Sequence, residues 1–374
     1  MKKLRIMSVF GTRPEAIKMA PVVLELSHNE HIESIVCTTA QHRQMLDQVL
    51  ELFNIKPDYD LNIMKENQDL WTLTSNILLQ MKDIFEQAKP DMVLVHGDTT
   101  TAMATALSAF YAQIPVAHVE AGLRTFNKFY PFPEEINRVI ADGVSSLYFA
   151  PTKTSIQNLK DCGIKDEENI ILTGNTVIDA LLYTVNNHAA NLEDLKLDAN
   201  LKTILLTSHR RENLGEPLKD ICSAVLELVE KHKNIQIVYP VHLNPNVRNT
   251  VFSMLKDKER IILTEPMEYA PFASLMKAAD IILTDSGGIQ EEAPSLGKPV
   301  LVLRDETERP EALEYGTVKL VGTNKEKIVN TVSTLLTSTS EYNKMAAAVN
   351  PYGDGLAAKR ILDAIINYFV NKQN

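Results

Sequence analysis

The stretch Asp280–Ala312, DIILTDSGGIQEEAPSLGKPVLVLRDETERPEA, decides how the rest of the chain is read. It opens on a strand-like apolar run, Ile281 to Thr284. It then turns through Ser286-Gly287-Gly288 into a helix-like segment with two adjacent carboxylates, Glu291 and Glu292. A second apolar run, Pro299 to Leu303, leads into a charged loop ending Arg309-Pro310-Glu311. Strand, glycine turn and helix start make an anion site. The glycines let backbone N–H groups approach a phosphate, and the helix N-terminus adds a favourable dipole. A carboxylate on that helix suits the hydroxyls of a ribose. Taken alone, the same residues also fit a plain strand-to-helix turn, because short glycine motifs recur by chance.

The same alternation runs through the whole chain. Strands are expected at Leu4–Phe10, Ser34–Thr38, Met92–His96, Val116–Val119, Leu147–Phe149 and Ile170–Leu172. They resume at Thr203–Thr207, Ile235–Tyr239, Ile261–Thr264, Asp280–Thr284 and Val300–Leu303. Helical patterns such as Glu15–Ser27, Leu70–Gln87, Thr100–Ala112 and Pro133–Ser145 lie between the early strands. Near-continuous apolar strands separated by helices indicate parallel sheets covered on both faces. So many strands fit two sheets of about five to seven better than one. The expected seam lies between Gly174 and Thr203, where a helix at Val177–Asn187 gives way to the polar stretch His188–Asn200. Leu356–Phe369 reads as an amphipathic helix after Pro351-Tyr-Gly-Asp-Gly355.

Composition narrows the function classes. The 374 residues carry a net charge of −10, which argues against a general nucleic-acid or acidic-membrane partner. Cys37, Cys162 and Cys222 are too scattered for a metal site or a disulfide framework, as expected in a reducing cytosol. The apolar run after the two N-terminal lysines is too short for a signal peptide, and no segment has the length to span a bilayer. The expected location is the cytoplasm. His28, His31, His188 and His232 sit in polar stretches and are given no role, and the single Trp71 is expected to pack on the core.

The polar residues concentrate directly after the strands. Gly11-Thr12-Arg13-Pro14-Glu15, Gln41-His42-Arg43, Gly97-Asp98-Thr99-Thr100 and Glu120-Ala121-Gly122-Leu123-Arg124 follow strands of the first half. Ser208-His209-Arg210-Arg211-Glu212, His242-Leu243-Asn244-Pro245 and the serine–glycine turn follow strands of the second. Ligands of open parallel sheets bind outside the carboxyl ends of the strands, so these clusters imply one cleft with two sheets facing across it. Its cations would be Arg13, Lys18, His209, Arg210 and Arg309, and its carboxylates Asp98, Glu120 and Glu134. Cations neutralise a diphosphate and stabilise it as a leaving group, while carboxylates move protons. Simpler roles compete. Asp98 could only cap the next helix, and Glu134 and Glu135 suit a first helical turn behind Pro133. Arg210 and Arg211 could be a solvated loop, and as neighbouring cations they would favour a neutral His209. No G-x-G-x-x-G follows the first strand and no P-loop spacing occurs, which counts against a bound nicotinamide.

Ten motifs now stand in order: Gly11-Thr-Arg-Pro-Glu-Ala-Ile-Lys18, Thr39-Ala-Gln-His-Arg43, His96-Gly-Asp-Thr-Thr100, His118-Val-Glu-Ala-Gly-Leu-Arg124, Pro133-Glu-Glu-Ile-Asn-Arg138, Gly174-Asn-Thr-Val-Ile-Asp179, His209-Arg-Arg-Glu-Asn213, Pro240-Val-His-Leu-Asn-Pro245, Asp285-Ser-Gly-Gly-Ile-Gln-Glu-Glu-Ala293 and Arg309-Pro-Glu-Ala312. Over nearly its whole length the chain resembles the non-hydrolysing UDP-N-acetylglucosamine 2-epimerases of bacteria. The resemblance implies an α/β GT-B fold, two Rossmann-like doubly wound parallel-sheet domains facing across a cleft. Residues 1–175 would form the first domain and 176–355 the UDP-binding one, with a C-terminal helix at 356–374 returning to the first. It also implies interconversion of UDP-GlcNAc and UDP-ManNAc without NAD or a metal, through elimination of UDP to 2-acetamidoglucal and its re-addition. The ManNAc would feed surface polysaccharide or teichoic acid synthesis, and a homodimer is expected.

Matched position by position, the resemblance makes Asp98, Glu120 and Glu134 the catalytic carboxylates. His209, Arg13 and Ser286-Gly287-Gly288 become the diphosphate contacts. Glu292 becomes the ribose carboxylate, Met267 and Phe272 enclose the uracil, and Lys18 and Arg309 touch the ligand. Gln41, His42, Gln44, Arg211 and His242 are candidates for a second site at which UDP-GlcNAc acts as an allosteric activator; Asn67 stands where some relatives place an arginine. The competing readings are a GT-B glycosyltransferase, a hydrolysing 2-epimerase and a nucleotide-sugar sensor.

Overall fold

The structure is a computed structural model and describes residues 3–40, 43–63 and 68–373, with residues 43, 44, 372 and 373 described by backbone alone. The chain forms two compact units, one of Met1–Ala180 with Tyr352–Asn374 and the other of Leu181–Pro351. It leaves the first unit at Ala180/Leu181, within the helix Thr176–Asn187, and returns at Pro351/Tyr352. The sequence placed these divisions at 175/176 and 355/356.

In the first unit β1 (Leu4–Phe10), β2 (Ile32–Thr38), β3 (Tyr59–Asp60), β4 (Met92–His96), β5 (Val116–Val119), β6 (Leu147–Ala150) and β7 (Ile170–Leu172) pair in parallel. Their order is β3-β2-β1-β4-β5-β6-β7. All five residues of β4 are buried, as the unbroken apolar run requires. Met7, Val9, Val93 and Val95 pack against Ile77, Met81 and Phe85 of the helix Leu70–Ala88. Beside them the helix Thr100–Tyr111 buries Ala102, Ala104, Ala106 and Ala109, small side chains that let it lie close to the sheet. The helix Ala357–Gln373 packs on the helix Arg13–His28 of the same unit, and Asp179 accepts the Ala358 N–H at 2.9 Å near its start.

In the second unit β8 (Lys202–Thr207), β9 (Ile235–Pro240), β10 (Ile261–Thr264), β11 (Ile281–Thr284), β12 (Val300–Val302) and β13 (Val318–Leu320) form a parallel sheet in the order β10-β9-β8-β11-β12-β13. Leu218, Ile221, Val225 and Leu228 line one stripe of the helix Glu216–Lys231 and pack on Ile204, Leu206, Ile237 and Tyr239. Burying each such side chain contributes about 1.5–3 kcal/mol. Both sheets reverse their strand order once, between β1 and β4 and between β8 and β11, and these switch points are where a doubly wound sheet opens to a ligand. Two Rossmann-like units in one chain are the GT-B plan.

Two expectations fail. β3 and β13 were not anticipated; both are edge strands, one only two residues long and the other interrupted by the exposed Lys319. Trp71 is 81% exposed rather than packed on the core. The helix Leu70–Ala88 buries the stripe Leu73, Ile77, Met81, Ile84 and Ala88, and position 71 points away from it.

Candidate active site

On the first unit the polar groups gather at the carboxyl ends of β1, β4 and β5. Thr12 caps the helix Arg13–His28 in a capping box with Glu15, which is 2% exposed. One Glu15 oxygen accepts from Gly11 N (3.1 Å) and Thr12 N (2.8 Å), and the other accepts from Thr99 Oγ1 (2.6 Å). Burial raises its pKa against these hydrogen bonds. Glu15 thus ties the turn that bears Arg13 to the turn after β4. The turn is close-packed: a methyl built on Gly11 would stand 1.9 Å from Thr39 Oγ1.

Asp98 does not cap the next helix. Thr99 does, accepting from Ala102 N at 3.0 Å. The Asp98 carboxylate is instead ion-paired with Arg138, and its carbonyl accepts from Asn137 Nδ2 at 2.9 Å. Glu120 follows β5 in a left-handed backbone conformation, φ 65°, a strained setting for a residue with a Cβ. Its carboxylate pairs with Lys18 and accepts from Asn175 Nδ2 at 2.9 Å, and His96 Nε2 lies 3.9 Å away. Burial lowers the His96 pKa to about 3, so that ring is neutral at pH 7.

Glu134 and Glu135 open the helix Glu134–Val144 but differ in what they do. Glu135 is buried, accepts from Thr125 N and Phe126 N, and pairs with Arg138 Nη1 at 3.0 Å. Glu134 Oε2 is shielded from water and has no hydrogen-bond partner among the described residues. Glu135 therefore holds a loop, and Glu134 takes no part in it.

On the second unit the centre is Asp285, fully buried after β11. Its Oδ2 accepts from Ser208 Oγ (3.0 Å), His209 N (2.8 Å), Arg210 N (2.9 Å) and Asn213 Nδ2 (3.0 Å). Its Oδ1 lies 3.2 Å from His209 Nδ1. Burial pushes this carboxyl up, but the His209 side chain and the backbone donors outweigh it and hold the pKa below its ordinary value. The sequence placed cations around His209; the charged group at its Nδ1 is an anion. The ring stacks on His242 with centroids 5.5 Å apart.

Two guanidinium groups converge on the glycine turn. A methyl built on Gly287 would stand 3.8 Å from Arg309 Nη2 and 3.9 Å from Arg210 Nη2. Arg309 is held by an ion pair with the buried Glu291. Glu292, on the helix Gly287–Glu292, lies 3.3 Å from the Tyr269 hydroxyl, with Phe272 on the same helix as Tyr269, Tyr269–Ala278. Met267 lies in the loop between β10 and that helix, half-buried. The arrangement suits an anion next to a polyhydroxy group.

The first unit thus carries Arg13, Lys18, Asp98, Glu120 and Glu134; the second carries His209, Met267, Phe272, Ser286, Gly287, Gly288, Glu292 and Arg309. Of the second-site candidates, Gln41 and His42 lie outside the described residues, as does Asn67, and Gln44 is described by backbone alone on the helix Arg43–Leu52. Arg211 and His242 are exposed on the second unit. The sequence assigned no site role to Asp285, Asn175, Glu15, Asn137 or Arg138, although each lies inside or beside a motif it singled out. Among the described residues no group of three or more His, Cys, Asp or Glu is placed to hold a metal, and no helix is long and apolar enough to cross a membrane.

Residues 24–366 match the family model described as UDP-N-acetylglucosamine 2-epimerase. The chain is 54% identical over 371 residues to UDP-N-acetylglucosamine 2-epimerase of Bacillus subtilis, covering 99% of this chain and 97% of that one. It is 54% identical over 373 residues to the Escherichia coli K12 protein of the same name, covering 97% and 99%. A crystal structure of UDP-GlcNAc 2-epimerase from Neisseria meningitidis bound to UDP-GlcNAc superposes with a TM-score of 0.85 at 52% identity, over 97% of this chain and 100% of that one. With these matches over its full length, the chain belongs to the UDP-N-acetylglucosamine 2-epimerase family.

Proposed function

We propose that this protein interconverts UDP-GlcNAc and UDP-ManNAc without releasing the free sugar. The proton on C2 has no adjacent carbonyl to acidify it, so direct removal and return would be slow. Elimination avoids this. A carboxylate takes the C2 proton, the C1–O bond breaks with its electron pair leaving on UDP, and a C1–C2 double bond forms. UDP then re-adds at C1 while a proton returns to the opposite face of C2. The observation that carries the reading is the division of chemistry between the switch points of the two sheets. The guanidinium groups of Arg210 and Arg309 stand by Gly287 at one, and the ion-paired carboxylates Asp98 and Glu120 follow the strands at the other.

In this assignment Arg13, His209, Arg309 and Ser286-Gly287-Gly288 hold the diphosphate and stabilise it as the leaving group. Glu292 takes the ribose hydroxyls, Met267 and Phe272 enclose the uracil, and Lys18 fixes both the ligand and Glu120. Asp98, Glu120 and Glu134 move protons, and neither NAD nor a metal is required. Gln41, His42, Gln44, Arg211 and His242 would hold a second, activating UDP-GlcNAc. We place the enzyme in the cytoplasm, as a homodimer that supplies ManNAc for surface polysaccharide or teichoic acid synthesis. The exposed Leu79 and Tyr111 line one apolar groove on the first unit that a second copy would cover. Incubation with UDP-GlcNAc and chromatography of the products tests the reaction. UDP-ManNAc supports it; free ManNAc with UDP indicates hydrolysis, and sugar transferred to an added acceptor indicates a glycosyltransferase.

A further inference from the structure

We propose that His118 is a positioning residue for the Gly97–Asp98 turn, held as a doubly protonated imidazolium between the Asp142 carboxylate and the Gly97 carbonyl. This deepens the reading above and rests on Asp98 acting in that reaction. His118 lies on β5 and is completely buried. Its Nδ1 is 2.6 Å from Asp142 Oδ1, and its Nε2 is 2.7 Å from the Gly97 carbonyl oxygen. Both partners are acceptors. A neutral imidazole donates at one nitrogen and presents a lone pair at the other, so either tautomer would set a lone pair against an acceptor. With Asp142 ionised against Arg124, only the cation satisfies both.

A buried cation needs a buried anion. Asp142 is 1% exposed, and its second oxygen accepts from Arg124 Nη2 at 2.6 Å. The result is a cation–anion–cation series with one net positive charge. Burial pushes His118 down, but Asp142 more than offsets this and holds it above its ordinary value, while Asp142 is held below its own.

What the cation holds is the peptide that precedes Asp98. Gly97 sits at φ 63°, donates its N–H to the Val119 carbonyl at 2.9 Å and gives its own carbonyl to His118. Asp98 then extends from a glycine held by β5 at both its N–H and its carbonyl, with its carboxylate on Arg138. A neutral amide side chain at 118 cannot place donors on two opposite ring edges, and it carries no charge to balance Asp142.

The test uses the full-length enzyme labelled with ¹⁵N-histidine. Ring spectra at pH 7 should show His118, assigned by its loss in His118→Gln, protonated at both nitrogens; a neutral single tautomer would overturn the proposal. In kinetics, His118→Gln should lower kcat by about tenfold or more, while KM and UDP affinity stay within about threefold. Combined with Asp98→Glu, which already displaces the carboxylate, it should add less than about threefold. Independent, multiplicative losses, or an equal fall in UDP affinity, would contradict positioning through Asp98. Asp98→Asn with unchanged turnover would remove the role of Asp98 itself, and that outcome leaves the ring spectra to be judged separately.

Discussion

Asn175 Nδ2 donates to Glu120 Oε2 at 2.9 Å, and the Asn175 backbone N–H donates to the Tyr352 carbonyl at 2.6 Å. Glu120 is therefore tied to both places where the chain changes units, since Asn175 lies just before the exit and Tyr352 marks the return. Lys18 and Asn175 together fix the carboxylate from two elements of the same unit.

Removing the Asn175 amide should lower kcat by about tenfold with little change in KM, because in the proposed assignment Glu120 moves a proton and does not hold the nucleotide. Asn175→Asp sets a second carboxylate against Glu120, so the acid limb of the kcat/KM profile should move up by about one pH unit. A pH–rate series on both variants checks this, and superimposable profiles would contradict it.

Glu134 and Glu135 should separate activity from stability. Glu135→Gln weakens the charge-assisted bonds to Thr125 N, Phe126 N and Arg138, at a cost of about 1–3 kcal/mol in the denaturation midpoint. Glu134→Gln should stay within about 0.5 kcal/mol of the parent in stability. Its turnover should fall by about a hundredfold. Denaturant titration beside steady-state kinetics reads both.

Asp285→Ala should act on the nucleotide and spare the carboxylates of the first unit. Ser208, His209, Arg210 and Asn213 all lose one shared acceptor. Losing about 1.4 kcal/mol or more of organised contacts corresponds to at least tenfold weaker UDP binding by calorimetry.

Asp179 sets a pH dependence of known sign. Burial raises its pKa from 3.8 to about 6, against the N–H groups of Ala358 and Ala357. Between these values the unfolded chain has released the proton and the folded chain keeps it, so the Asp179 contribution to stability falls as pH rises from about 4 to about 6. Asp179→Asn should gain up to about 3 kcal/mol over the parent above that window and nothing near pH 4. His96 runs the other way: its contribution is full above pH 6.5 and is lost as pH falls toward about 3. It is present in both proteins and cancels in the difference. Unfolding midpoints of the pair across pH 4 to 7 decide it; a constant offset would contradict it.

The buried strands were legible in the sequence. Leu4–Phe10, Met92–His96 and Val116–Val119 were read with the bounds the structure gives them, because a strand covered on both faces writes a continuous apolar run. The edge strands Ile170–Leu172 and Ile261–Thr264 were also read, whereas Tyr59–Asp60, two residues long, and Val318–Leu320, interrupted by Lys319, passed unseen. Trp71 was misjudged because an aromatic in an amphipathic helix is apolar whether or not it faces the stripe.

In the site, position after a strand drew attention to Asp98 and Glu120, but their local partners were not legible. Thr99 and Asp98 are both good caps, and only the pairing with Arg138, 40 residues on, shows which residue caps. Asn175 reaches Glu120 across 55 residues and Asp285 reaches Ser208 across 77. No local pattern announces such contacts. The signal that could have found them was their place inside motifs already singled out, Gly174–Asp179 and Asp285–Ala293.

In the proposed reaction carbon 2 loses its proton while UDP departs and then regains one from solvent-exchanging groups. Incubation with UDP-GlcNAc in D₂O, followed by NMR, tests it directly. The expected product is UDP-ManNAc bearing deuterium at C2, with label also appearing in the recovered UDP-GlcNAc. UDP-ManNAc that keeps the original hydrogen at C2, or free ManNAc as the first product, would contradict it.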